Sequence, residues 1–249
     1  TVLLSLQNGV DNEERLEAIA GPGHVMGGIA YVFSTIEAPG VITHTHGGKI
    51  AFGELDGTET ERGRRLLGAF TGAGIPAELS TQIRRLLWEK YLFITSMAGL
   101  TALTRCPVGV IRSRPETRRL FVTLLEELAQ VAKAAGIALS AGAVGGAVAA
   151  ADALPPGAYS SLHYDLTHGR RLEIDTLQGY AVQVASPITV PDVVGQPQRT
   201  ASATITGANL AVGAVTTRTS ATTPAGAVVS QNPVAGALAA PSSAVSLVI

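Results

Sequence analysis

The chain has 249 residues, long for one compact domain and comfortable for two or three, with a formal net charge of −1. A balance so close to neutrality gives no basis for a nucleic-acid or anionic-membrane partner. Cys106 is the one cysteine, which excludes an intrachain disulfide and a cysteine metal cluster.

The chain starts at Thr1 and enters Val2-Leu3-Leu4-Ser5-Leu6, a buried-strand pattern without initiator methionine, so it reads as the remainder of a longer chain. The strand ends at the turn signal Gln7-Asn8-Gly9. A short charged helix over 11–20, capped by Asn8 or Asp11, is closed by Gly21-Pro22-Gly23. A second apolar strand follows over 25–34. Residues 40–44 and 49–53 predict a hairpin across His46-Gly47-Gly48. A helix over 58–71, with Leu66, Leu67 and Phe70 inward, and a strand over 75–79 complete an α/β region over 1–79.

From Ser80 the periodicity is helical. Residues 86–103 are apolar on every side, the mark of a buried central helix. A 3.6-residue stripe through Leu120, Leu124, Leu128 and Val131 runs over 115–135 and ends at Gly136. A small-residue helix over 141–153 stops at Pro155-Pro156, and a helix from Ser160 is expected to run on towards Val182, giving an all-α region over 80–184. No membrane span is expected. Residues 91–104 are too few for the ~20 apolar residues a span needs, and 134–151 are mostly Ala and Gly. Past Val184 only Asp192, Arg199 and Arg218 are charged, and alternating valines suggest short strands in a third region, 187–249.

Lys90 is the residue to explain. Leu86, Leu87, Phe93 and Ile94 are its helical neighbours, and no further charge appears until Arg105. An ammonium so enclosed loses hydration, its pKa falls, and it becomes a usable proton donor; the bland reading is a lysine that snorkels past Glu89 to water. On the expected Ser160 helix, Ser161, Asp165, Gly169 and Glu173 stand four apart on one stripe, suited to a small polar ligand. Gly169 in mid-helix would cost about 1 kcal/mol against alanine and so asks for a reason. The alternative is a solvated face with Arg170 or Arg171 paired to Asp175. His44 and His46 face one side of a strand, but without a third ligand no metal is expected. Trp88 reads as core.

Trp88-Glu89-Lys90, Leu100-Thr101-Ala102-Leu103 and the serine–aspartate–Gly-Arg–Glu-Ile-Asp segment together resemble ketopantoate reductase (2-dehydropantoate 2-reductase). Leu6-Gln7-Asn8-Gly9-Val10 and Ala38-Pro39-Gly40-Val41-Ile42-Thr43-His44 match the same family, and the resemblance covers about residues 1–183. It implies a Rossmann remnant over 1–79, the C-terminal half of an NADP-binding domain, followed by the family's all-α domain over 80–184. The implied activity is NADPH-dependent reduction of a 2-keto acid, ketopantoate to pantoate, on the route to pantothenate and coenzyme A. Lys90 would protonate the developing alkoxide and Glu173 would hydrogen-bond the same hydroxyl and hold the lysine. Ser161, Asp165 and Asn8 would bind substrate, and Asn8, at the cofactor–substrate junction, and Glu173 would border the cofactor. A cytoplasmic setting follows from NADPH, and a homodimer is left open.

Two departures stand out. The family commonly carries asparagines one and two turns after the lysine, where this chain has Ile94 and Ala98. A dinucleotide fold also needs Gly-x-Gly-x-x-Gly between its first strand and helix. Gly21-Pro22-Gly23 follows a helix and Gly142–Gly146 lies in an alanine helix, so impaired activity is expected.

Thr189-Val190-Pro191-Asp192-Val193-Val194-Gly195, Gly207-Ala208-Asn209-Leu210 and Pro224-Ala225-Gly226 through Asn232-Pro233 resemble a PASTA repeat, an α+β module of one helix against a three-stranded sheet. Such modules resemble cell-envelope binders of peptidoglycan fragments. The second reading is therefore a non-catalytic binding protein whose helical region is a scaffold.

Overall fold

The computed structural model describes residues 1–220, 223–239 and 243–249, the side chains of Thr35, Thr45 and His46 excepted. They form two compact units, one of residues 1–129 with 137–178, the other of 130–136 with 179–249.

The first unit opens with β1 (Leu3–Leu4) and α1 (Asn12–Ala20), followed by β2 (Val25–Ala38) and β3 (Val41–Gly53). After α2 (Glu61–Gly72) comes β4 (Ala77–Leu79), and the sheet order is β1-β2-β3-β4. β1 pairs parallel with β2, β2 antiparallel with β3, and β3 parallel with β4. Met26, Ile50 and Phe52 form a buried cluster on which Leu66, Leu67 and Phe70 of α2 pack, as their spacing predicts. Neither Asn8 nor Asp11 caps α1 with its side chain. The first turn closes through the Arg15 N–H to the Asp11 carbonyl at 3.1 Å. Thr60 does cap α2, its Oγ1 accepting from the Gly63 N–H at 3.2 Å.

The hairpin departs from expectation. Its turn is at Pro39-Gly40, and His46-Gly47-Gly48 lies inside β3. Pairing shifts register between Tyr31 and Val32 and again between Phe33 and Ser34. Gly47 sits opposite, at φ +84°, and a Cβ there would fall 2.1 Å from the Tyr31 carbonyl oxygen. The glycines read as a turn are a bulge, which lets the strand bend and continue.

α3 (Ile83–Thr104) is central to the helical part, with Leu87, Trp88, Tyr91, Leu92, Met97 and Leu100 buried. α4 (Val108–Ser113), α5 (Pro115–Ala134), α6 (Ala143–Ala153) and α7 (Ser161–Thr167) follow. On α5 the buried positions are Phe121, Leu125, Leu128 and Ala132, and Leu120 is 45% exposed. The expected stripe is rotated by about one residue because the apolar band is broad enough for two 3.6-residue stripes, and the buried one includes the larger ring.

The Ser160 helix does not run on to Val182. α7 ends at Thr167, and Gly169 adopts φ +64°. Its N–H bonds the Leu166 carbonyl at 3.4 Å and the Arg170 N–H bonds the Asp165 carbonyl at 2.9 Å, the paired bonds of a Schellman stop. Ser161, Asp165, Gly169 and Glu173 therefore share no helical stripe. The chain re-enters helix as one π turn, Asp175–Gly179, leading into α8 (Tyr180–Ala185).

In the second unit β5 (Ile188–Thr189), α9 (Gln198–Gly207), β6 (Ala211–Thr216), β7 (Ser230–Asn232), β8 (Leu238–Ala239) and β9 (Ala244–Val248) follow in order. One sheet has the order β6-β9-β7, and β5 pairs with β8 in a separate ribbon. Val190, Val193, Ala201, Ile205, Leu210, Val228, Val245 and Leu247 form its core, so the helix-and-sheet module has its own buried centre.

Candidate functional site

α3 carries Lys90 near its first third, half-buried as its apolar neighbours predict. The ammonium turns to the sheet, Nζ donating to the Ala30 carbonyl of β2 at 3.0 Å. Glu89 instead accepts from the Ser140 N–H at 2.9 Å. Burial pulls the Lys90 pKa below the ordinary lysine value, and Glu173 partly offsets this as a charge rather than as a hydrogen-bonded partner.

Residues 173–178 are tied to α3 by hydrogen bonds. The Leu177 N–H and the Thr176 hydroxyl donate to the Glu173 carbonyl at 3.1 and 3.2 Å. The Tyr91 hydroxyl donates to the Leu177 carbonyl, and Gln178 Nε2 donates to the Thr95 carbonyl at 2.9 Å. The Asn8 loop reaches the same segment, for a Cβ on Gly9 would lie 3.5 Å from the Thr176 carbonyl oxygen. Glu173 and the Asn8 loop thus share one stretch of chain, and the Glu173 charge is felt at Lys90.

Ser161 and Asp165 are held differently. Ser161 is exposed at the first position of α7. Its neighbour Ser160 faces inward, accepting from the His163 N–H at 3.1 Å and sharing a 2.7 Å hydrogen bond with Thr101. Thr101 lies eleven residues beyond Lys90, about 16 Å along the α3 axis at 1.5 Å per residue. Asp165 stands 4.0 Å from Arg170. No described contact joins either residue to Lys90. Sequence reasoning passed over Ser160, Tyr91 and Gln178.

The His46 side chain lies outside the described residues. Among those described, no group of three His, Cys, Asp or Glu side chains could hold a metal, and no helix is long and apolar enough to cross a membrane.

A dinucleotide pyrophosphate needs bare backbone at the first strand-to-helix turn and free amides at the helix start. The turn after β1 has one glycine, Gly9, and Asp11 stands at the N-cap of α1 with Glu13 and Glu14 in its first turn. Glu13 is buried, and burial raises its carboxyl pKa against the lowering effect of the Glu13 and Gly28 backbone N–H groups. The start of α1 is filled by the chain's own acids, so this turn, in what reads as the second half of a nucleotide fold, does not fit a pyrophosphate.

Residues 1–57 match the family profile Ketopantoate reductase PanE/ApbA, residues 82–192 match Ketopantoate reductase PanE/ApbA C terminal, and residues 188–249 match the PASTA domain. An uncharacterized oxidoreductase of Bacillus subtilis, YkpB, is 29% identical over 191 residues, 76% of this chain and 63% of the relative. The 2-dehydropantoate 2-reductase of Halobacterium salinarum is 29% identical over 208 residues, 80% of this chain and 68% of the relative. The solved 2-dehydropantoate 2-reductase from Geobacter metallireducens GS-15 superposes with a TM-score of 0.68 at 32% identity, covering 73% of this chain and 61% of that one. The chain spans less than two thirds of the length of the Bacillus relative and of the Geobacter structure.

Proposed function

With residues 1–57 and 82–192 belonging to the ketopantoate reductase family and residues 188–249 to the PASTA domains, we propose that this chain supplies the proton-donating, keto acid-binding side of a 2-keto acid reductase. The reaction is that of a 2-dehydropantoate 2-reductase, ketopantoate to pantoate with NADPH as reductant. As a ketone is reduced, negative charge grows on its oxygen, and a positioned ammonium both stabilises that charge and releases a proton to it. Lys90 is that ammonium. The supporting observation is its half-buried Nζ, 3.0 Å from the Ala30 carbonyl and within the field of Glu173.

Burial makes the Lys90 ammonium a better acid, while the Glu173 charge keeps it from losing its proton too early. Asn8 borders the substrate, and Ser161 and Asp165 bind its polar end. Delivery of the hydride is assigned to no residue here, because the start of α1 does not fit the pyrophosphate. On its own the chain therefore holds NADPH weakly or not at all.

The test is a chimera carrying, ahead of Thr1, the part of the Geobacter enzyme that precedes its matched region, assayed by ketopantoate-dependent NADPH oxidation. Lys90→Ala should lower kcat by about 10²–10⁴-fold with little change in NADPH affinity. An unchanged kcat would remove the proton-donor reading.

A second role attaches to the PASTA match. Residues 188–249 have their own core and only Asp192, Arg199 and Arg218 as charged groups, which suits binding rather than chemistry. Peptidoglycan fragments are the proposed ligand. Titration of the full chain with a purified muropeptide tests this, and absence of saturable heat would discard it.

A further inference from the structure

We propose that Gln178 and Tyr91 are positioning residues, which clamp the 173–178 segment onto α3 and thereby hold Glu173 where its charge acts on Lys90. The inference rests on the reading of Lys90 as the proton donor and adds to it the device that sets the donor's environment.

Glu173 lies in the non-helical stretch between the end of α7 and the π turn, and its own side chain is exposed. Little in its immediate surroundings would fix it. What fixes the backbone is the π turn that follows, through the Leu177 N–H and the Thr176 hydroxyl on the Glu173 carbonyl. That turn is tied to α3 at two points. Tyr91, the residue after Lys90, donates to Leu177, and Gln178 donates to Thr95, about 6 Å further along the helix axis. Two ties on one rigid helix set both the distance and the tilt of the segment. π turns recur where a helix must present side chains out of its regular phase.

Three details set this clamp apart from ordinary packing. The Thr95 carbonyl lies in mid-helix, where a backbone N–H already serves it, so the amide adds a second bond rather than filling a vacancy. Gly99 opens the space, since a Cβ there would stand 3.2 Å from Gln178 Nε2. The other end of the amide, Oε1, is buried without a hydrogen-bond partner, as is the Thr95 hydroxyl. A buried half-satisfied amide is costly to keep, and an apolar side chain of the same shape would serve packing as well or better. The Nε2 bond is therefore what the glutamine contributes.

The experiment uses the intact chain, which has three lysines, Lys49, Lys90 and Lys133. Lysine labelled with ¹³C and ¹⁵N at its terminal groups lets each be titrated by NMR, with Lys49 and Lys133 as internal references. Five proteins are compared: wild type, Glu173→Gln, Gln178→Met, Tyr91→Phe and the double variant Gln178→Met with Glu173→Gln. Glu173→Gln should move the Lys90 midpoint downward, because the one charge that opposes burial is gone. Gln178→Met and Tyr91→Phe should move it the same way, and Gln178→Met combined with Glu173→Gln should add nothing further. Gln178→Met should leave the thermal midpoint nearly unchanged, since it removes the unpaired Oε1 together with the Nε2 bond. If Glu173→Gln shifts Lys90 and the two clamp variants do not, the positioning role is overturned and the donor reading survives. If Glu173→Gln itself leaves Lys90 unmoved, the coupling at the base of both is absent. A clamp variant that loses stability with Lys90 unmoved assigns Gln178 and Tyr91 to packing and overturns the proposal.

Discussion

Lys90 and Ala30 meet across sixty residues of sequence, the helix ammonium donating to the strand carbonyl at 3.0 Å one residue before the β2 register begins to shift. The contact replaces water that the neighbouring leucines and Phe93 exclude. It leaves the ammonium charged but less comfortable than in solution, because a neutral carbonyl returns only part of a lost hydration shell.

Stability should register this cost. The folded-state pKa of Lys90 lies below the ordinary value of 10.5, with burial as the main cause. Below the folded value both states carry the proton and the penalty stands in full. As pH rises from the folded value towards the ordinary one, the unfolded chain binds more protons than the folded chain, so stability increases. Lys90→Met should therefore exceed wild type in urea midpoint at neutral pH, with the gap closing towards about pH 10. A gap independent of pH would contradict the lowered value.

Glu54 gives the opposite sign. Its buried carboxylate accepts from Arg62 Nε at 2.6 Å and from the Thr60 hydroxyl, tying the start of α2 to the end of β3. The Arg62 guanidinium beside it holds its pKa below the ordinary carboxylate value, so the stabilisation is present above that value and is lost as pH falls through the folded one. Arg62→Met should cost about 2 kcal/mol, less than the ~3–5 kcal/mol of a fully buried pair because Arg62 keeps some exposure. Thermal melts at neutral and acid pH should show the deficit shrinking as Glu54 protonates.

Gly169→Ala separates two structures of the same segment. In mid-helix the change would stabilise by about 1 kcal/mol. At φ +64° it should instead destabilise by about 1–2 kcal/mol, since a Cβ strains the left-handed stop of α7. The sign of the change in urea midpoint decides.

Ser160 and Ser161 should part company under alanine substitution. Ser160→Ala removes the cap of α7 and the bond to Thr101, and should cost about 1 kcal/mol. Ser161 is exposed, so Ser161→Ala should stay within about 0.5 kcal/mol of wild type. In the chimera it should raise KM for the keto acid.

Trp88 is the one tryptophan and sits two residues before Lys90, so its fluorescence reports on this part of α3. Titration of the intact chain with NADPH should give no saturable change. Micromolar affinity would show that the acids at the start of α1 leave room for a pyrophosphate after all.

Much of the site was legible before any coordinates. Lys90 stood out because a charge on an otherwise apolar helix is rare, and the short motifs around it are contiguous in sequence. Helix positions were also readable where the apolar spacing was clear, as at Leu66, Leu67 and Phe70 of α2 and along α3. Local signals misled where a residue type serves two geometries. Glycine ends a helix or bends a strand according to its partners, so Gly169 was read as interior and Gly47 as a turn.

The sequence by itself determined the family motifs, the lone lysine on its greasy helix, the acids at the start of α1 and the low-charge third region, because each is a property of adjacent residues. Only the tertiary structure decided that the lysine meets the Ala30 carbonyl, that Glu173 arrives by way of a stopped helix and a π turn, and that Ser161 faces water while Ser160 faces in. Those facts depend on contacts between residues far apart along the chain, whose burial and electrostatics do not exist until the fold has brought them together.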